Sequence, residues 1–259
     1  MSAALQKSVV KKSFAKKNTA YGARATALIS ATTPVQKIAR RDGLVSPGSP
    51  GSRLAPQARE RLIVDEAIRY FAEVGFGGQT RELSRRLGIT QPLLYRYFPS
   101  KQALIDRVYD EVFLARWDDA WEGLIEDRSQ SLSERLAEFY RQYTLIIFRP
   151  EWIRLYMYSG LAGNGINKRY IARLEKLLFT RICAELRHAC GMPDLKQIPV
   201  SRDELECIWG LHASIFYYGV RKFIYKLPVH PDPAAVIELA ISEMLVAAPL
   251  VLAKAVRAQ

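Results

Sequence analysis

Arg81-Glu82-Leu83-Ser84-Arg85-Arg86-Leu87-Gly88-Ile89-Thr90, followed at once by Gln91-Pro92-Leu93-Leu94-Tyr95-Arg96-Tyr97-Phe98-Pro99-Ser100-Lys101, is the stretch that decides the fold. Leu83 and Leu87 form one apolar helical stripe; Ile89, Leu94 and Phe98 form an opposing one. Gly88 between them permits a tight turn, and Ser84 is small enough for two short helices to cross steeply. Thr90 suits an N-cap, Pro92 is tolerated in a first turn, Pro99 stops the helix and Ser100 caps the next. The spacing predicts helices over 80–87 and 91–98. Once the stripes are buried, Gln91, Leu93, Tyr95, Arg96 and Tyr97 face outward. Their polar groups can bond phosphates or base edges, and Leu93 can pack on a thymine methyl.

Upstream, Pro56 opens a helix whose apolar positions Ile63, Ala67, Phe71 and Val74 share one face, and Gly75, Gly77 and Gly78 end it. Downstream, helices are expected over 101–125, 132–148, 151–161, 168–190, 203–225 and 234–258, punctuated by Pro150, Gly163, Gly165, Gly191, Pro193 and Pro228. No stretch alternates with period two, and no internal repeat is visible. The expected fold class is all-α.

The 259 residues carry a net charge of +12, unevenly placed. Residues 1–53 hold ten Lys/Arg against one acid, Asp42. The run Ser46-Pro47-Gly48-Ser49-Pro50-Gly51-Ser52 has linker composition. Residues 1–55 therefore read as a basic, disordered tail suited to a polyanion, with Leu5 to Lys17 able to form a basic amphipathic helix. The tail also has the basic, Ser-rich, acid-poor character of a mitochondrial presequence. The most apolar stretch, Leu239 to Val256, is interrupted by Glu243, Pro249 and Lys254, so no membrane span is expected. Cys183, Cys190 and Cys207 are odd in number and not closely paired, which argues against a disulfide framework and fits a reducing cytoplasm.

The quoted stretch, together with Arg59-Glu60-Arg61-Leu62 and Phe71-Ala72-Glu73-Val74-Gly75-Phe76 before it and Gln102-Ala103-Leu104 after it, resembles the DNA-binding region of TetR (AcrR-like) regulators. The resemblance covers about 50 residues. It implies a helix-turn-helix head over 56–101 and a helical ligand-binding and dimerisation domain over 102–259, whose last two long helices form a dimeric bundle. Position by position, it implies that Tyr95, Tyr97 and Lys101 meet phosphates of double-stranded DNA. Thr90, Gln91, Leu93 and Arg96 would lie at the major groove, and Arg81 at a flanking phosphate or the minor groove. Pro92, Leu93 and Gly78-Gln79 depart from the family pattern, which affects the operator read rather than the fold.

The body of the chain is rich in aromatics. Trp117, Tyr140, Phe148, Trp152, Tyr156 and Tyr217 are the candidates for lining a pocket for an apolar or aromatic effector. Arg154, Arg173 and Arg187 read as solvated charges. The final helix is apolar on two stripes, Val236/Leu239/Ala240/Met244/Ala247/Leu250/Val251 and Ile237/Ile241/Leu245/Ala248. One can face the chain's own core and the other a second copy. The homodimer seam is placed at Phe216, Ile237, Ile241, Met244, Leu245 and Ala248. His188, His212 and His230 lack ligand spacing, so neither metal nor cofactor is expected. No nucleophile elbow, phosphate loop or acid–base set appears, so an enzyme is not expected. The functional expectation is a ligand-responsive repressor binding a pseudo-palindromic operator as a dimer. The alternative is non-specific nucleic-acid binding through the tail.

Overall fold

Pro56, at a position where a missing N–H costs nothing, opens α1 (Pro56–Val74), which buries Ile63, Val64, Ala67, Tyr70, Phe71 and Ala72 on one side. The computed structural model describes residues 55–163 and 165–257, with side chains to 254. The tail and its Leu5–Lys17 helix lie outside the described residues. Those described belong to one compact unit, Arg53–Gln259. They fold entirely into helices and connecting loops, with no strand among them.

Gly75 (φ 79°) ends α1, its N–H bonding the Phe71 carbonyl at 2.9 Å. Gly78 is needed for a different reason. A Cβ there would stand 2.7 Å from the Tyr70 ring and from Val74 Cγ2, which is closer than packed atoms approach. The short helices α2 (Thr80–Arg86) and α3 (Gln91–Tyr97) follow, joined at Gly88 with φ 63°. Leu83, Leu94 and Phe98 of the expected stripes are buried, with Ser84, while Leu87 and Ile89 are half-buried against the core.

Ser100 caps α4 (Lys101–Tyr109) by accepting from the Ala103 N–H at 3.0 Å. The expected helix to Ile125 does not run through. A π-helical turn at Asp110–Leu114 leads into a break, and α5 (Ala120–Glu126) starts afresh. The Asp118 carboxylate takes the Ala120 N–H at 2.9 Å, offering the backbone an alternative to the helix. Trp117 and Trp121 pack edge to face across the break.

Capping boxes at Ser131/Glu134 and Ser201/Glu204 start α6 (Leu132–Ile147) and α10 (Arg202–Phe223). Between them lie α7 (Pro150–Ala162), α8 (Ile166–Leu174) and α9 (Thr180–Ala189). The expected helix over 168–190 thus begins earlier and carries a π-helical turn at Glu175–Phe179, where the Thr180 hydroxyl bonds the Glu175 carbonyl at 2.9 Å. The last helix is α11 (Pro233–Arg257). It packs along α10 and across α6, while α1 packs on α4 and α7.

By length and composition alone Pro233–Lys254 is apolar enough to cross a membrane (mean hydropathy 2.0), so the three polar interruptions do not disqualify it as expected. What separates it from a bare span is its inner face. Ile237, Ala240, Ile241, Met244, Ala248 and Leu252 are buried in the protein core.

Arg187, read as a solvated charge, is completely buried. It grips Glu204 through two bonds of 2.6 and 2.7 Å and takes the Ile198 and Pro199 carbonyls at 2.6 and 3.0 Å, organising the loop between α9 and α10. Burial pushes the Glu204 carboxyl up, but the bonds from Arg187 and Ser201 outweigh it, and the group ends below its ordinary range. A second buried carboxylate, Glu185, joins Arg128 and Arg135, each at 2.8 Å.

Candidate nucleic-acid interface

The outer face of α3 is built from its cap outward. Thr90 accepts from the Leu93 N–H, fixing the first turn. With Leu94 buried and Leu93 half-buried, Tyr95 and Arg96 project into solvent. Thr90 and Arg81 are also exposed, while Gln91, Tyr97 and Lys101 are half-buried. Tyr97 packs against the core as well as reaching the surface.

Thr80, the first residue of α2, is a contributor that sequence reasoning missed. Its Oγ1 lies 3.0 Å from the Tyr95 hydroxyl and accepts from Gln91 Nε2, also at 3.0 Å. Thr80 is only 7% exposed, so it positions both α3 side chains from beneath. Its only sequence signal is a hydroxyl at the start of a short helix.

The cations of this region divide into two sets. Arg85 pairs with Glu82 at 2.7 Å, and Arg86 pairs with Glu73 at 2.7 Å while lying 4.8 Å over the Tyr70 ring. The bond from Arg85 holds the Glu82 carboxyl below its ordinary range, and the bond to Glu73 raises the Arg86 guanidinium. Arg81, Arg96 and Lys101 form no ion pair among the described residues. The three unpaired cations are those the family resemblance places against DNA.

Four of the six aromatic candidates share one ring network, and Phe148 and Tyr217 lie outside it. Trp152 stacks on Tyr156 at 5.1 Å, and both, with Trp117, converge on Tyr170 at 5.5–6.4 Å. Tyr140 joins the same network through Tyr143, which packs edge-on against Trp121 and so reaches Trp117, whereas Phe148 stacks on Tyr218 at 5.2 Å. Tyr217 is 51% exposed and packs on Tyr225 outside the core, so it lines no interior space in the protomer. Phe113, Tyr170 and His212 are ring neighbours that were not anticipated. The Tyr143 and Tyr170 hydroxyls bond each other at 2.9 Å. His212 is ringed by Tyr140, Tyr143, Phe179 and Trp209, and burial pushes its imidazole down to about 4, so it is neutral at pH 7. A cleft of about 300 Å³ opens between α1, the π-helical turn after α4 and the α6–α7 junction; of the six candidates only Trp152 lines it.

Of the expected seam, Ile237, Ile241, Met244 and Ala248 are buried in the chain's own core. Leu245 is half-buried, and Phe216 packs edge-on against Trp152 and Tyr156. The exposed stripe of α11 is instead Leu239, Val246 and Leu250, exposed by 60, 79 and 77%.

The two remaining arginines are also engaged. Arg173 lies 4.6 Å over the Trp117 ring. Arg154, on α7, reaches the end of α1, donating to the Ala72 carbonyl and, at 3.2 Å, to that of Glu73. The Tyr158 hydroxyl donates to the same Glu73 carbonyl at 3.1 Å.

Comparison with known proteins meets the chain at this same region. Residues 63–108 match the family of bacterial regulatory proteins named tetR. The class A tetracycline repressor of Escherichia coli transposon 1721 is 31% identical over 85 residues, covering 30% of this chain and 39% of the repressor. The class D tetracycline repressor of Escherichia coli is 28% identical over the same length and shares. The match thus spans about two fifths of the curated relatives. A solved Mesorhizobium loti chain assigned to the TetR family is 13% identical, with a TM-score of 0.47 over 73% of this chain and 96% of that one. Residues 63–108 are thus a helix-turn-helix of the kind found in the tetR family of bacterial regulatory proteins.

Proposed function

We propose that this DNA-binding regulator acts as a homodimeric, ligand-responsive repressor reading a pseudo-palindromic operator. The observation that carries this reading is the face of α3: exposed Tyr95 and Arg96, Thr90 and Gln91 at its start, and the unpaired cations Arg81 and Lys101 on either side. Tyr95, Tyr97 and Lys101 hold phosphates, while Thr90, Gln91, Leu93 and Arg96 read the groove and Arg81 lies at its flank. Two such heads in successive major grooves require a dimer. The stripe Leu239/Val246/Leu250 supplies an apolar surface for it. An apolar or aromatic effector enters among the Trp117, Trp152, Tyr156 and Tyr170 rings and shifts α7. Through Arg154 and Tyr158 that shift changes the pose of α1, lowering the DNA-competent population.

A gel shift with labelled DNA from around the gene, run with excess genomic competitor, tests this. Specific retention that survives competitor, and is lost when the inverted repeat is scrambled, is expected. Retention abolished by competitor would replace this reading with non-specific binding through the basic tail.

A further inference from the structure

The mouth of the 300 Å³ cleft carries charges of both signs. Two of them are already spent: Arg69 pairs with Glu66 at 2.8 Å, and Glu111 with Arg107 at 2.9 Å. Asp65, Glu151 and Arg116 make no side-chain hydrogen bond or ion pair among the described residues. Arg149 bonds only the nearby Leu145 carbonyl, at 3.3 Å. Two carboxylates and two guanidiniums therefore border one opening without a direct ion-pair partner among the described residues. Ile68, Val112, Ile146 and Trp152 supply its apolar lining. Trp152 is only 3% exposed, yet its indole N–H has no acceptor. A buried donor left unmet in a cleft wall is a polar group waiting for a partner.

We propose that this cleft binds a small zwitterion with an apolar body, of the class of an apolar α-amino acid. The carboxylate is received by Arg116, Arg149 and the Trp152 N–H, the ammonium by Asp65 and Glu151, and the apolar body by Ile68, Val112 and Ile146. A simple anion would face two uncompensated carboxylates, and a simple cation two guanidiniums. Only a ligand with both charges offsets all four. Because α1 forms one wall and the α6–α7 junction another, an occupant ties the head to the body. That regulatory consequence rests on the DNA-binding reading above; the site itself does not.

The full-length protein is titrated by calorimetry with L-leucine, L-methionine and L-phenylalanine. Isocaproate and isoamylamine, which each lack one of leucine's charges, serve as controls. Saturable binding of at least one amino acid is expected. Removing either charge from the ligand, or introducing Arg116→Ala or Asp65→Asn at these exposed positions, should weaken it about tenfold, the worth of one charge-assisted hydrogen bond. Trp152→Phe, which keeps a ring in the wall, should also weaken it. No saturable binding of any of the three, equal binding of a single-charge control, or binding indifferent to both surface variants overturns the site. Binding that leaves a parallel DNA shift unchanged retains the site and overturns only its regulatory consequence.

Discussion

Arg154 of α7 donates from Nε to the main-chain carbonyl of Ala72 in the last turn of α1. Those final carbonyls have no partner within their own helix, and a cation beside them also complements the helix dipole. Arg154→Ala should cost about 1–3 kcal/mol in urea unfolding, and Tyr158→Phe about 0.5–1.5 kcal/mol. Wild-type stability in both would mean that water satisfies these carbonyls equally well and that the junction is not held by them.

Tyr95→Phe removes a hydroxyl that bonds Thr80 in the free protein and is assigned to a phosphate in the complex. Operator affinity should fall by about 0.5–1.5 kcal/mol with the fold intact. Thr80→Val should reproduce part of that loss without touching DNA, and the double variant should lose less than the sum. Strict additivity in a double-mutant cycle would separate Thr80 from the interface.

The exposed stripe of α11 makes the dimer testable without risking the core. Val246→Glu and Leu250→Glu introduce charges that are solvated in a monomer but buried in a seam. Sedimentation should report folded monomers. Ile241→Glu, at a position with 0% exposure, should instead unfold the chain. Intact dimers from both stripe variants would move the seam elsewhere.

His212 predicts a pH dependence of stability. Burial lowers its folded value from 6.5 to about 4, so between those values the unfolded chain binds a proton that the folded chain refuses. Stability contributed by the neutral ring is whole above pH 6.5 and is lost as pH falls toward 4, to a total of about 3 kcal/mol. Tyr140, Tyr143, Phe179 and Trp209 around it bring no charge at these pH values. His212→Phe should flatten the unfolding free energy across this window. An unchanged pH slope would show that His212 does not cause it.

The helix-turn-helix was legible because everything that shapes it is local: two stripes, a glycine turn and two hydroxyl caps within some twenty residues. The break before Ala120 was hidden because Trp117 and Trp121 keep helical spacing across it, while Asp118 unwinds the backbone. Which stripe of α11 faces inward was not readable, since both are apolar and the choice is made by α6 and α10. Arg154 looked solvated because its partners in α1 are backbone carbonyls, which leave no mark in residue types, and Arg187 because its carboxylate partner, Glu204, lies across a loop on another helix. Thr80 was missed because its two partners sit on another helix.

The Thr80 hydroxyl has one hydrogen, and Gln91 already donates to its oxygen. In the free protein, the bond to Tyr95 can run in either direction. If, as proposed, Tyr95 gives its hydrogen to a phosphate, only Thr80 can donate between the two hydroxyls, so the pair would take a single polarity. Gln91, Thr80, Tyr95 and the phosphate then form a one-way chain of donors, each polarising the next. The phosphate contact proposed for Tyr95 would thereby lock the orientation that Gln91's amide already has, with Nε2 on Thr80 and the carbonyl oxygen left as an acceptor. In that proposal a phosphate contact with no sequence information of its own would hold Gln91 to the base edges that its carbonyl oxygen can meet.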